Sequence, residues 1–445
     1  MGALAMPGHD HNAQTSERAA DSSQVLDIHE VIDQRAVTTV FQPLVDLAGG
    51  GLLGFEALTR GPADTPLHTP DALFAAARAV GRETELDWVC RAVAFRTILA
   101  ADPDPVLTWF VNMEPAASRV PCPADLAGAI EEARQRLRVV TEVTERSIAH
   151  DPAGLLAATT SVRAAGWGVA LDDVGADPGS LALMPFIHPD VVKLDMQLLR
   201  EPDEPHTARV VAAVSAYAEA SGAVILAEGI ETARHAELAR TMGATVGQGW
   251  HHGRPGPLPA QVRAGSRLPF IKPPGLSIGT PFDIIGGRRP VTRTTKGRLM
   301  SMSRHLEALA GDGSEPPVLL ACFQEERHFT AATAVRFTRI AANSPLVAAL
   351  GTGLGDEPAP GVHGTAFGPA DPLRGEWNVI VVGPHRAAAL VARDVGDTGP
   401  DRERRFDFAL THDRSLVLEA ARALLPWLAP AASGGLVSAA PSTFG

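Results

Sequence analysis

Acidic and amide side chains stand at the ends of successive short apolar runs along the first half of the chain. They are Glu56, Asn112, Glu142, Asp172, Asp173, Glu228 and Gln248, and one further run closes with Lys193 and Asp195. If these runs are the strands of an eight-stranded α/β barrel, their carboxyl ends meet on one face and the side chains share one pocket. A single carboxylate at a strand end is more often a helix cap or a solvated loop residue. The whole set is different, because several carboxylates converging without positive charge would repel one another.

The chemistry of this set indicates a hard divalent cation. Carboxylate and amide oxygens, with no cysteine or histidine among them, favour Mg²⁺ or Mn²⁺ over zinc. Asp172 and Asp173 are adjacent, so one carboxylate could bridge two ions. Paired cations suit in-line displacement at phosphorus, and the pattern therefore favours metal-dependent chemistry on a phosphate ester.

A glycoside hydrolase also uses two carboxylates and is the main rival chemistry. It needs neither so many acids nor a lysine. Lys193, Lys272 and Lys296 are the only lysines among 39 basic residues, the rest being arginine. Lys193 could be a surface lysine, but a point charge that orients water or offsets negative charge on phosphorus suits the set better.

Eight apolar runs of strand length, mostly separated by alanine-rich helical stretches, are placed to position these residues. They are TVFQPLVDL, GLLGFEALTR, VLTWFVNME, LRVVTEVTE, WGVALDDVG, DVVKLD, AVILAEGI and TVGQGW. This order predicts an α/β fold, a modified TIM (β/α)8 barrel. The first two runs are joined only by the AGGG link at 48–51, which leaves no room for a crossover helix, so we expect an antiparallel first strand.

The remaining segments predict a second, smaller domain and two tails. Residues 1–24 and 431–445 are predicted as disordered tails, 25–255 as the barrel and 256–274 as a Pro/Gly-rich linker or strap. Residues 275–430 combine the helical run TKGRLMSMSRHLEALAG with the strand-like runs PVLLACFQ, WNVIVVG, AALVARDV and RFDFALTHD, and predict a smaller α+β or α/β domain.

Composition excludes several classes of protein. The formal net charge of −12 argues against nucleic acid or an anionic membrane surface as a partner. The three cysteines are far apart, which favours neither a disulfide framework nor a zinc site. No apolar run is long enough to span a membrane, and residues 1–24 lack a signal-peptide core, so we expect a cytoplasmic protein.

The first half of the chain resembles the EAL domain phosphodiesterases, which hydrolyse cyclic di-GMP. The resemblance runs from about residue 37 to 255, and its motifs occur in family order: FQP, FEALTR, VNMEP, TEVTE, LDD, KLD, AEGIET and GQG. It implies the barrel fold, conversion of cyclic di-GMP to linear pGpG, and two divalent cations, Mg²⁺ or Mn²⁺. A homodimer through the barrel is a further implication.

The resemblance also implies a role for each site residue. Glu56, Asn112, Glu142 and Asp172 would hold the first metal, and Asp172 would bridge to a second shared with Asp173. Glu228 would be a general base or a partner of metal-bound water, Lys193 would position the nucleophilic water, and Gln248 would contact the same shell. The resemblance further implies substrate contacts for Gln42, Arg60 and Asp195, and support of the loop after Asp173 for Glu145 and Glu231.

That loop departs from the family pattern. The family reads DDFGTGYSSL, whereas this chain reads DDVGADPGSL from Asp172 to Leu181. In the family the loop couples dimerisation to placement of the second metal, so turnover and regulation are expected to differ, although no ligand is lost.

The second domain resembles the DICT sensory domain through TKGRLMSMSRHLE, ACFQEERHFT, DPLRGEWNVIVVGPH, AALVARD and RRFDFALTHDR. The resemblance implies an unknown small-molecule or protein input. His385 and His412 suggest ligand contacts, although a histidine at a strand end is more often structural. No cyclase motif of the GGDEF type is present, so synthesis of the dinucleotide is not expected.

Three functions remain open from sequence. A metal-dependent cyclic di-GMP phosphodiesterase regulated by the second domain fits the complete ligand set. A cyclic di-GMP receptor with weak or no catalysis would fit the altered loop. A purely structural barrel fits poorly, because uncompensated carboxylates cost stability unless a cation binds.

Overall fold

The structure is a computed structural model that describes residues 26–144, 152–176, 180–271, 275, 278–311 and 316–428. The predicted tails at 1–24 and 431–445 therefore lie outside the described residues. So does Glu145, the glutamate expected to support the loop after Asp173.

Eight strands close into a barrel in chain order. Their bounds are β1 (Thr38–Asp46), β2 (Leu52–Arg60), β3 (Thr108–Asn112), β4 (Arg138–Thr144), β5 (Gly168–Val174), β6 (Val191–Leu194), β7 (Val224–Ala227) and β8 (Val246–Gln248). Strand β1 runs antiparallel to β2 and β8, and the other neighbours are parallel. The predicted modified TIM barrel with an antiparallel first strand is confirmed.

The glycine-rich link explains the antiparallel hairpin. The Asp46 carboxylate accepts hydrogen bonds from the backbone N–H groups of Ala48 and Gly49. Gly50 has a φ of 68°, a backbone conformation that is unfavourable for residues with a side chain. The chain thus reverses over a few residues, and β2 must pair beside β1 with opposite direction.

Helices of the first domain pack outside the barrel or cap its ends. They are α1 (Ile28–Asp33), α2 (Pro70–Ala79), α3 (Glu83–Ala100), α4 (Ala124–Arg136), α5 (Pro152–Ala164), α6 (Met184–Ile187), α7 (Met196–Arg200), α8 (Pro205–Ser221) and α9 (Ala233–Thr241). Local sequence sets their ends: Pro70 occupies the first turn of α2, and Thr232 caps α9 by accepting from the His235 N–H at 3.1 Å.

Residues 256–271 form a strap along the barrel. Gly256 exchanges backbone hydrogen bonds with Phe41. Leu268 is buried within the apolar interior of the barrel, and the ring of Phe270 approaches Gly168 at the start of β5. The Ile271 N–H donates to the Asp190 carboxylate at 2.8 Å. From Gly265 to Ile271 the strap therefore covers the amino-terminal end of the barrel, opposite the end that carries the polar residues.

The second domain is built on one seven-stranded sheet with the order β12-β11-β10-β13-β14-β15-β9. The strands are β9 (Thr292–Thr295), β10 (Val318–Glu325), β11 (Val347–Thr352), β12 (His363–Thr365), β13 (Glu376–Val382), β14 (Ala387–Asp394) and β15 (Arg405–Thr411). The helices are α10 (Pro281–Gly286), α11 (Lys296–Gly311), α12 (Ala331–Ala341) and α13 (Arg414–Leu424), and a 3-10 turn follows at Leu425–Leu428. Parallel and antiparallel pairs occur in the same sheet.

The two domains share apolar contacts. Leu425 and Leu428, just beyond α13, are buried against helix α5 of the barrel. The guanidinium of Arg422 donates a hydrogen bond to the carbonyl of Pro185 in α6. The last helix of the second domain thus packs on the barrel flank that follows Asp173. Among the described helices, none is long and apolar enough to cross a membrane.

Candidate active site

A single buried lysine stands among four carboxylates at the carboxyl end of the barrel. The Lys193 Nζ lies 2.6 Å from Glu142 Oε1, 2.8 Å from Glu228 Oε1, 2.9 Å from Asp172 Oδ1 and 3.6 Å from Glu56 Oε1. These residues come from different strands or strand ends, so closure of the barrel is what brings them together. The predicted convergence of acids from different strands on Lys193 is present in the structure.

Burial and mutual repulsion shift the protonation equilibria of this group. Burial raises the pKa of Glu142 well above its ordinary value, the charge of Glu56 adds to the effect, and Lys193 opposes it. Burial also raises the pKa of Glu228 to about 8, again against the attraction of Lys193. For Lys193 burial alone would lower the pKa, but the surrounding carboxylates raise it well above the ordinary value. The Lys193 ammonium therefore stays charged, whereas one positive charge is too little to neutralise the four carboxylates around it.

Amides complete the wall on the β1 and β8 side. The Gln248 amide N–H donates to Gln42 Oε1 at 3.0 Å and also to the Glu56 carboxylate. Gln42 donates in turn to the Gly253 carbonyl at 3.2 Å. The Asn112 amide lies 3.5 Å from Glu56 Oε1. These contacts fix one carboxylate of the group and leave oxygens of the others available to a cation.

The strand end that carries Asp172 and Asp173 is irregular. The register between β5 and β6 shifts between Leu171 and Val174, and Asp173 has a left-handed φ of 59°. A non-glycine residue in this region is uncommon and often marks a functional position. Donor oxygens of Asp172, Asp173 and Glu228 lie within 4.8 Å of one another, which makes them a possible metal-binding group.

The residues present fit a divalent cation. Glu142 Oε2 is buried without a hydrogen-bond partner among the described residues, and Glu142 Oε1 and Asp172 Oδ1 have only their ion pairs with Lys193. Buried acceptors of this kind ordinarily have partners. The donor set is all oxygen, which suits Mg²⁺ or Mn²⁺. Glu56, Asn112, Glu142, Asp172 and Asp173 are the residues that would hold such ions, with Glu228 beside them.

Three predicted residues lie apart from the contacts of Lys193. Arg60 is at the end of β2 and donates to the Thr59 carbonyl at 2.7 Å. Asp195 caps helix α7 by accepting from the Gln197 N–H at 2.7 Å. Glu231 is exposed and forms a 3.7 Å ion pair with Arg200. Their predicted substrate and loop roles stay predictions.

The sequence analysis missed two residues that do not enter the site but bond to the loops that follow its residues. Asp87 is buried on α3, lies 2.6 Å from Arg91, and accepts from the Glu114 N–H at 2.9 Å. It thereby anchors the loop just after Asn112. His206, at the start of α8, is bonded through Nε2 to the Gly175 carbonyl at 2.7 Å, two residues beyond Asp173. The Asp-x-x-x-Arg spacing on a helix could have indicated the first, whereas no sequence signal marks the second.

Comparisons with known proteins identify both domains. Residues 26–255 match the family model described as EAL domain, and residues 287–394 match the DICT model, a sensory domain in diguanylate cyclases and two-component systems. The predicted resemblances to both families are confirmed.

Two curated relatives each match about half of this chain. The probable cyclic di-GMP phosphodiesterase PdeB of Escherichia coli K12 is 28% identical over 229 residues, which is 50% of this chain and 43% of that protein. The cyclic di-GMP phosphodiesterase RocR of Pseudomonas aeruginosa is 27% identical over 243 residues, 54% of this chain and 62% of that protein. The chain thus spans less than two thirds of either relative.

A solved structure is also similar to the barrel half. The manganese and cyclic di-GMP complex of Klebsiella pneumoniae BlrP1 at pH 9.0 is 27% identical, with a TM-score of 0.44. The similarity covers 50% of this chain and 56% of that one.

Proposed function

The chain belongs to the EAL domain family, and we propose that its barrel is a metal-dependent phosphodiesterase that hydrolyses cyclic di-GMP to linear pGpG. The observation that carries the proposal is the buried Lys193 ammonium facing four carboxylates, beside the three-acid group of Asp172, Asp173 and Glu228. Relatives named as cyclic di-GMP phosphodiesterases support the substrate class.

We assign the first cation to Glu56, Asn112, Glu142 and Asp172, and the second to Asp172 and Asp173. Bound divalent cations would supply Lewis acidity toward a phosphoryl oxygen. Lys193 holds a permanent positive charge in the pocket and can donate to a water or phosphate oxygen. Glu228, at 2.8 Å from Lys193, can take a proton from that water when its carboxyl is ionised, and nearby cations would favour the ionised form.

The remaining predicted contacts become substrate proposals. Gln42 and Arg60 lie on the two hairpin strands, where they would contact guanine and phosphate. The Gln248 amide donates to both Gln42 and Glu56. It would therefore fix the position of the substrate contact Gln42 relative to the metal ligand Glu56. Asp195 would contribute from the end of β6 while capping α7.

A product assay tests the proposal. Full-length protein is incubated with cyclic di-GMP and Mg²⁺ or Mn²⁺, and nucleotides are separated by chromatography. We expect linear pGpG, its loss in EDTA, and its loss in Glu56→Ala, which removes one anionic ligand. Absence of linear product at every protein concentration, with both metals, would overturn the proposal.

The second candidate is a cyclic di-GMP receptor without appreciable catalysis. The observation that supports a receptor is the departure of residues 174–180 from the family pattern, directly after Asp173 with its left-handed backbone. The acidic residues assigned to the metals are all retained, which favours the enzyme. Calorimetric binding with intact nucleotide recovered afterwards, in the presence of metal, would favour the receptor.

We further propose that the DICT domain regulates the barrel. It packs on helix α5, which precedes β5, and on helix α6, which follows the loop after Asp173. A homodimer through the barrel stays a proposal, which sedimentation of the full-length protein would test.

A further inference from the structure

A cavity of about 1020 Å³ lies between the barrel and the sensory domain. Its barrel wall includes Leu181 and Met184, which follow the loop after Asp173, and Tyr217 from α8. Its sensory wall includes Leu418 and Ala423 from α13. We propose that this cavity is a regulatory site for a small organic anion that has an apolar body and a carboxylate group.

Two guanidinium groups give the cavity its preference for an anion. Arg414 donates to the Gly383 carbonyl at 2.8 Å, and Arg422 donates to the Pro185 carbonyl. Within the described part of the chain neither forms an ion pair. Burial lowers the pKa of both, so each charge is partly desolvated, and Tyr217 and Glu419 offset this only in part at Arg422. The acidic Glu419 in the lining is already paired with Arg288 at 2.8 Å.

A histidine on the barrel side adds an unused polar atom. His188 lines the cavity, and its Nδ1 is buried without a hydrogen-bond partner among the described residues. Its backbone is fixed in a left-handed conformation with a φ of 54°, and its carbonyl accepts from Arg163. The backbone of His188 is therefore fixed, and its ring carries an unpaired polar atom beside the cavity that an oxygen of a bound ligand can satisfy.

The rest of the lining determines the class of anion. Leucine, methionine, alanine and the Tyr217 ring supply apolar surface, and the Tyr217 hydroxyl is already bonded to the Pro189 carbonyl at 3.2 Å. An inorganic anion would leave this surface wet, whereas an apolar body would bury it. The volume is at the upper end of the range for small-molecule pockets, which is roughly 300–1,000 Å³. An amphipathic carboxylate satisfies both the guanidiniums and the apolar wall.

Helix α8 connects this cavity to the active site. Its carboxyl-terminal half carries Tyr217 into the cavity wall, and its first turn carries His206, which bonds to Gly175 beyond Asp173. The two positions are about 16 Å apart along one helix, given a rise of about 1.5 Å per residue. A ligand that moves α8 relative to α13 would therefore act on the loop that carries Asp173. This coupling rests on the proposed function of the barrel, whereas the binding site does not.

Calorimetry on the full-length protein tests the site. The probes are octanoate and 4-phenylbutyrate, with 1-octanol as the neutral molecule of the same length as octanoate. We expect one acid bound per chain, with octanoate at least tenfold tighter than 1-octanol. Arg422→Gln should weaken acid binding at least tenfold, while Arg339→Gln, an exposed arginine on α12, should leave it unchanged.

A second variant keeps the test decisive if Arg422→Gln does not fold. Leu418→Trp fills the cavity without removing a charge and should also weaken binding at least tenfold. The proposal is overturned if neither acid binds the folded protein, or if octanoate and 1-octanol bind equally. It is also overturned if the folded cavity variants bind the acids as the wild type does.

The coupling has a readout that needs no turnover. Mn²⁺ affinity is measured with and without saturating octanoate, and we expect a several-fold change that reappears as an equal change in octanoate affinity with Mn²⁺. Unchanged Mn²⁺ affinity together with calorimetric binding of octanoate would overturn the coupling and leave the binding site standing.

Discussion

Lys193 is the residue on which the electrostatics of the site depend. It is fully buried and supplies the ammonium that four carboxylates contact. Its rarity in an arginine-rich chain made it conspicuous in the sequence, and the strand-end pattern predicted its acidic neighbours. The sequence pattern could not distinguish the acidic neighbours of Lys193 from Asp195 and Glu231, which lie outside its contacts. A position at a strand end does not decide whether a side chain points into the pocket or caps the next helix.

Replacing this lysine should destabilise the metal-free protein. Lys193→Met leaves buried carboxylates without their cation, which costs about 3–5 kcal/mol when one partner of a buried pair is removed. We expect Mn²⁺ to restore much of the loss in thermal unfolding. The matched control is Lys296→Met, which breaks the 2.6 Å pair with Asp401 in the sensory domain. An equal loss of stability in both variants, unchanged by Mn²⁺, would mean that Lys193 does not stand in for a cation among the carboxylates.

The raised pKa of Glu228 predicts a pH dependence of the metal-free protein. Its folded pKa is about 8, whereas an unfolded glutamate titrates near 4.3. The folded state therefore holds the proton more tightly, so stability falls as pH rises between these values. Between pH 6.5 and 8 we expect a net loss of roughly 1–2 kcal/mol, because the lowered pKa of His188 adds only a small opposing gain near pH 6.5.

Denaturant unfolding in EDTA at pH 6.5 and 8 measures this loss. Glu228→Gln should flatten the dependence in this window, although Glu142 contributes a loss of the same sign. Mn²⁺ should stabilise the wild type more at pH 8 than at pH 6.5, because metal binding displaces protons. Rising metal-free stability over this window would contradict the assignment.

At the scale of elements, the barrel was predictable because each strand is a short apolar run that ends in a polar residue. The antiparallel β1 followed from the glycine-rich link alone. In the second domain β10, β13, β14 and β15 lie where apolar runs predicted strands. Strands β9, β11 and β12 were missed, because TRTT, VAALGT and HGT are too short, small or polar to stand out.

The strap supplies a test of how the barrel is held together. Leu268 is buried inside the barrel end, so Leu268→Ala should cost about 2–5 kcal/mol by creating a cavity. Ile278, which lies between the strap and helix α10, is fully exposed, and Ile278→Ala should change nothing measurable. Denaturant unfolding compares the two variants. Equal stability of both with the wild type would mean that the strap does not seal the barrel.

At the scale of the whole molecule, sequence predicted two domains but not their shared core. We propose 25–255 for the barrel, 256–274 for the connection and 275–430 for the sensory domain. The strap and the last helix both pack on the barrel, so the domains are more closely joined than a Pro/Gly-rich linker suggests. Such contacts join residues far apart in sequence, and no local pattern reports them.

This packing predicts that the domains unfold together. Leu425 and Leu428 are buried against α5, and replacing both by alanine should separate one calorimetric transition into two. Val335→Ala, at an exposed position of α12, is the control and should keep a single transition. Two transitions in the wild type itself would show that the domains are energetically independent.

Single turnover of cyclic di-GMP with the full-length protein in excess tests the central claim most directly. Binding is completed in EDTA, Mn²⁺ is then added, and the nucleotide is recovered at intervals and separated by chromatography. We expect the bound nucleotide to stay intact before Mn²⁺ is added, to become linear pGpG after it, and to stay intact throughout in Glu56→Ala. Intact cyclic di-GMP recovered from the wild type at every interval after Mn²⁺ addition would contradict hydrolysis and leave a receptor.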